Sequence, residues 1–101
     1  MTNLERIRIE LRDNNAKMFS DNELTAWLTD YRLNPNNQYS QRNKKSLMLS
    51  VREALRQLYR DLDSSKTVVR SGYLEGYNKQ AIGEEIERIT RQYDWDIVVG
   101  D

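Results

Sequence analysis

The sequence predicts an all-α protein, a small four-helix bundle with a long central third helix, a short β-prone link after it and an extended C-terminal tail. Three observations carry this expectation. Two capping boxes, Thr2 with Glu5 and Ser20 with Glu23, mark helix starts, because each side chain can take an orphaned backbone N–H of the first turn. A stripe of Leu47, Val51, Ala54, Leu55, Leu58 and Leu62 keeps to about 100° of arc over four turns. Ile82, Ile86, Ile89 and Tyr93 repeat the helical spacing near the end of the chain.

The elements follow in order. Leu4, Ile7 and Leu11 place a first helix at about 3–12; Arg6 to Leu11 also alternates, as a strand would, but the cap and the charged partners favour helix. Phe19, just before the second cap, is placed to staple onto Leu24. The second helix is expected over 21–33, with Leu24, Trp27, Leu28 and Tyr31 on one face, ended by Asn34-Pro35 because proline disfavours helix in the residue before it. Residues 36–40 read as a polar loop whose length is not tied to the core. The third helix spans about 42–62, and its spine should pack beside Trp27, Leu28, Ile86 and Ile89. Ser64 and Ser65 break it, and Thr67, Val68 and Val69 form the β-prone link. The last helix spans about 77–93, with Gly83 inside it either as tolerated slack, the commoner case, or as a mark of close helix packing. Residues 94–101 form the tail, so that 1–101 is one helical domain.

Composition narrows the function. The 101 residues include no histidine and no cysteine, which removes the side chain that titrates near neutrality and the usual ligands for zinc. No glycine-rich phosphate loop is present. These absences point away from an enzyme, and no catalytic, cofactor-binding or metal-binding residue is assigned. An apolar fraction of 38% and a mean hydropathy of −0.90 suit a helical chain that completes its burial against copies or partners. No apolar run reaches the roughly 18 residues of a membrane span, and no signal peptide is apparent, so cytosolic synthesis and no membrane contact are expected.

The order of pieces resembles a family of small head–tail connector proteins of tailed bacteriophages, also called adaptor or head-completion proteins. The resemblance lies in Leu4-Glu5-Arg6-Ile7-Arg8-Ile9-Glu10-Leu11, the acidic break at Asp13, and Phe19-Ser20-Asp21-Asn22-Glu23-Leu24 opening the second helix. A long third helix, a β-prone link at 68–72 and a last amphipathic helix at 81–93 follow in the family's order. The third helix departs from the family's alanine-rich pattern, having only Ala54 and a basic character. The resemblance implies a structural virion protein of the phage neck, made in the host cytoplasm. It implies a ring, commonly of about twelve copies, between the portal protein and a tail-side neck protein, extending the DNA channel.

Charge is neutral in sum and uneven in place. Residues 42–70 hold eight basic and three acidic groups, a net of +5, and residues 71–101 hold three basic and seven acidic, a net of −4. The two segments either pair within one subunit or meet between neighbours in a ring. In the second case Lys45, Arg52, Arg56 and Arg60 form a basic stripe facing a neighbour, or packaged DNA without sequence preference. Glu84, Glu85 and Glu87 form the acidic counterpart, although at helical spacing they also read as a solvated face. Trp95, Ile97, Val98 and Val99 are the candidate partner-binding residues, an apolar strip that either tucks onto its own core or docks on the portal or a neighbour. The alternative reading is a small helical DNA-binding or regulatory protein using the basic third helix. Against DNA binding as the main role stand a pI near 6.3 and a loop longer than a helix-turn-helix allows. A toxin–antitoxin type of partner protein is a third class. Gel filtration separates these classes, and a gene position beside portal and capsid genes would decide the first.

Overall fold

A computed structural model describes residues 1–13, 16, 18–63 and 79–94. It contains α1 (Asn3–Glu10), α2 (Asp21–Asp30), a 3₁₀ turn (Gln41–Asn43), α3 (Lys44–Asp63) and α4 (Lys79–Tyr93), with no strand among the described residues. The all-helical expectation holds. The β-prone link and the tail beyond Asp94 lie outside the described residues.

Both capping boxes form. Glu5 N–H donates to Thr2 Oγ1 at 3.1 Å while Thr2 N–H donates to Glu5 Oε1 at 2.7 Å. Glu23 N–H and Ser20 N–H repeat the exchange with Ser20 Oγ and Glu23 Oε1 at 3.1 and 3.0 Å. Phe19 and Leu24 are both buried, and the Phe19 ring meets Trp27 edge-on with centroids 5.5 Å apart.

The helix ends differ from expectation. α1 stops at Glu10 rather than near residue 12, and α2 stops at Asp30 rather than near residue 33, short of Asn34-Pro35. Both end in the same Schellman turn. Arg12 and Arg32 take left-handed backbone angles, φ 59° and 64°. Around them, Arg12 N–H bonds Ile9 O and Asp13 N–H bonds Arg8 O, just as Arg32 N–H bonds Thr29 O and Leu33 N–H bonds Leu28 O. Burial of Leu33 with Leu28 supplies the apolar contact that goes with this turn. A left-handed arginine costs about 1–2 kcal/mol that glycine avoids. Part of that is returned by glycine's freer unfolded chain, so Arg32→Gly is expected to raise the unfolding free energy by about 0.5–1 kcal/mol in urea denaturation.

The loop after α2 is not independent of the core. Asn3 N–H donates to Asn37 O, Leu4 N–H to Pro35 O and Asn3 Nδ2 to Asn34 O, all within 3.0 Å. Tyr39 N–H reaches Met1 O, and Thr2 and Gln38 form a lone β-bridge. The loop carbonyls therefore take the N–H groups of the first turn of α1 that the capping box leaves open.

α3 is the centre. Its sequence stripe faces inward as read: Leu47, Val51, Ala54, Leu55 and Leu58 are buried in one cluster with Ile7, Leu11, Leu24, Leu28, Ile82 and Ile89. Trp27, Ile86 and Tyr93 pack against that cluster from partly exposed positions. The side chain of Leu62 lies outside the description. Burial is wider than the stripe, since Met48, Leu49, Ser50 and Arg52 are also covered. α4 comes close to α3 at Gly83, where a Cβ would sit 3.3 Å from the Tyr59 ring, so the glycine marks close packing rather than slack. Leu55 is 1% exposed, so Leu55→Ala should lower stability by about 2–5 kcal/mol in the same denaturation assay.

Candidate functional site

The polar groups of the bundle gather where α2, α3 and α4 meet, at the root of the tail. Arg52 projects from the flank of α3 and is buried, with its side chain 7% exposed. Its Nη1 donates to Asp94 Oδ2 at 2.6 Å, just past the end of α4, and lies 3.4 Å from Thr90 Oγ1. Its Nη2 donates to Tyr31 Oη at 3.2 Å, at the end of α2. Tyr31 in turn donates to Glu53 Oε2 at 3.0 Å, which also accepts from Arg56 Nη1 at 3.0 Å. Burial opposes the charge on Arg52, but the bonds from Asp94 and Tyr31 outweigh it and raise the pKa of the guanidinium. Burial raises the pKa of the Tyr31 phenol. The network pins residue 94, so the chain leaves α4 from a fixed point.

This placement corrects the expected basic stripe. Steps of four residues advance about 40° around a helix. Arg52, Arg56 and Arg60 therefore turn progressively away from the core instead of sharing one open face. Arg52 lies under the end of α4 and is engaged within its own subunit, so it drops out of any surface for a neighbour or for DNA. Arg56 is 42% exposed and Arg60 and Lys45 are exposed, Arg60 donating to Gln57 at 3.0 Å. The Arg52–Asp94 pair joins the basic and acidic segments inside one subunit.

The acidic residues are partly satisfied by their own helix. Glu85 pairs with Arg88, whose hydrogen bond lowers its pKa below the usual carboxylate value. Glu87 pairs with Arg91 at 3.2 Å, and Glu84 is exposed. Trp95, Ile97, Val98 and Val99 lie outside the described residues. A cleft of about 220 Å³ lies among Glu10, Arg12, Met48, Val51, Ala81 and Glu85, with a charged rim over a floor already sealed in the core.

A second polar centre was not legible as such. Asp13, read as an acidic break, is 3% exposed. It accepts from Met18 N–H at 2.9 Å, Phe19 N–H at 3.0 Å and Arg8 Nη1 at 2.9 Å. Arg8 also donates to Phe19 O at 3.2 Å and pairs with Asp21. The break between α1 and α2 is thus folded around one carboxylate.

Among the described residues no helix is long and apolar enough to cross a membrane, and no group of carboxylates is placed to hold a metal ion. Comparison with known proteins gives no match to any family model, curated protein or solved structure.

Proposed function

We propose that this chain is a structural subunit of a tailed-phage neck, forming a homo-oligomeric ring between the portal and a tail-side component around the DNA channel. The observation that supports this reading is the unit of α1, the Asp13-centred break and the boxed start of α2, followed by the long α3. It is the element order by which the sequence resembles head–tail connectors, and α3 and α4 pack against each other behind it. In this reading the subunit acts through its surfaces and has no active site. Half-buried Arg56 and exposed Arg60, with Lys45, meet Glu84 and Glu87 of the neighbour, a head-to-tail contact that closes into a ring. Single exposed pairs contribute only ~0–1 kcal/mol, so such a contact depends on repetition around the ring.

The tail supplies the attachment. One indole and three branched aliphatics are a large apolar load at a chain end, each aliphatic being worth roughly 1.5–3 kcal/mol on full burial. Cutting the chain after Asp94 keeps the Arg52 clamp and removes residues 95–101. The truncated subunit is expected to melt close to the full chain and to lose attachment to a portal, read by co-sedimentation with portal rings. A truncated chain that unfolds would assign the tail to its own core. A full chain that neither self-assembles nor joins the portal would remove the neck reading altogether.

A further inference from the structure

From residue 31 to residue 52 the chain carries five cations, Arg32, Arg42, Lys44, Lys45 and Arg52, and no acid. Arg52 is consumed inside the bundle. The other four are exposed, and three of them fall within residues 42–45, where the 3₁₀ turn runs into α3. Burial on α3 begins only at Leu47, so residues 40–45 lie ahead of its buried part, with Ser40, Gln41, Arg42, Lys44 and Lys45 all exposed.

The start of α3 is not built to favour this charge. α1 and α2 open with a capping box and an acidic first turn, matching the positive pole of a helix. α3, the longest helix, opens with cations, no acidic residue, and a preceding Ser40 that makes no side-chain cap. Among the described residues Arg6, Arg8, Arg52, Arg56, Arg88 and Arg91 are ion-paired. Arg42 and Lys44 form no ion pair with any described residue. The loop that leads into them carries exposed neutral donors, Asn34, Asn36, Asn37, Gln38 and Gln41, and its backbone is held by the start of α1.

We infer that this segment, residues 40–45 with the adjoining loop, is a docking surface for the phosphate backbone of a nucleic-acid duplex. Phosphate oxygens are contacted by lysine, arginine, amide and hydroxyl donors, the inventory present here. A protein partner of comparable strength would need an apolar centre, and the apolar residues of the stretch, Pro35 and Tyr39, are only partly exposed. The surface rests on its own charge distribution and does not depend on ring formation. It shares Lys45 with the stripe of Lys45, Arg52, Arg56 and Arg60 that helical periodicity suggested and leaves out the other three.

The test is anisotropy of a fluorescein-labelled, mixed-sequence DNA duplex titrated with the full chain across a salt series. Each phosphate neutralised contributes about 0.9 to the slope of log affinity against log salt, so Arg42→Ala/Lys44→Ala should flatten that slope by about 2. Arg56→Ala/Arg60→Ala should leave it unchanged. The Arg42/Lys44 variant should melt at or slightly above the wild-type temperature, since it removes charge that the helix disfavours. Absence of duplex binding at low salt, a wild-type slope in the Arg42/Lys44 variant, or tighter binding of polyglutamate than of the duplex would each overturn the inference. Ring assembly on the portal is scored separately, so its success or failure leaves this result readable.

Discussion

Asp13→Ala is expected to be among the most destabilising single substitutions in this chain, lowering the unfolding free energy by about 3–5 kcal/mol. The carboxylate accepts two buried backbone N–H groups, from Met18 and Phe19, and the guanidinium of Arg8. Alanine leaves both amides without their acceptor and takes one of two carboxylates from Arg8, which keeps Asp21 and the carbonyl of Phe19, and each unsatisfied buried group costs roughly 1–3 kcal/mol. Asn is nearly isosteric but has a single acceptor oxygen, so Asp13→Asn should fall between wild type and alanine. For a chain of this size each kcal/mol moves the melting temperature by roughly 4–8 °C, which calorimetry would resolve. An alanine variant within about 1 kcal/mol of wild type would mean that water replaces the carboxylate and that the break is not built around it.

The second large effect is expected at the other polar centre, and it is asymmetric. Asp94→Ala takes the closest carboxylate from the Arg52 guanidinium and leaves it Tyr31, Thr90 and the more distant Glu53 at 3.7 Å, and should cost about 2–4 kcal/mol. Arg52→Met should cost less, because Asp94 is 25% exposed and can turn to water while the methionine fills the space. The double variant should recover much of the loss, since an apolar replacement of a buried pair is often close to neutral. A double-mutant cycle measures this directly, and strictly additive losses would show that the pair is not coupled. The clamp also has an alkaline limit. Burial raises the folded-state pKa of Tyr31 above the ordinary phenol value of 10.0, so its contribution is complete below pH 10 and is lost as pH rises through the folded value. Tyr31→Phe should remove that part of the alkaline dependence.

What sequence could disclose here follows from how local each signal is. The helix starts were legible at Thr2 and Ser20 because a cap is a matter of side-chain oxygens at a fixed offset. The inward stripe of α3 was legible because periodicity reports direction. Periodicity does not report how far a neighbouring element wraps round, so Arg52, on the flank of that stripe, read as exposed. The ends of α1 and α2 were hidden for a different reason. A left-handed turn usually shows itself through glycine or asparagine, and here arginine occupies both positions, while Pro35 offered a more visible but later stopping point. Asp13 was seen as a break, but nothing within a few residues distinguishes a solvated aspartate from one that collects donors from Met18 and Phe19. The candidate surfaces divide in the same way. Charge runs could be counted from the sequence, whereas pairing of Glu85 and Glu87 with Arg88 and Arg91, and the isolation of Arg42 and Lys44, needed the helices in place.

The docking of residues 35 and 37 on the first turn of α1 has a kinetic consequence. An eight-residue helix is far too short to persist alone in water, where segments below about 12–15 residues are marginal. The acceptors that complete its start arrive from more than thirty residues downstream, after the chain has passed through α2. α1 is therefore a late participant in folding, closed by a loop that must already be in position. In the native state the amides of Asn3 and Leu4 should exchange with solvent at a common rate, set by lifting of that loop rather than by fraying of the helix they begin.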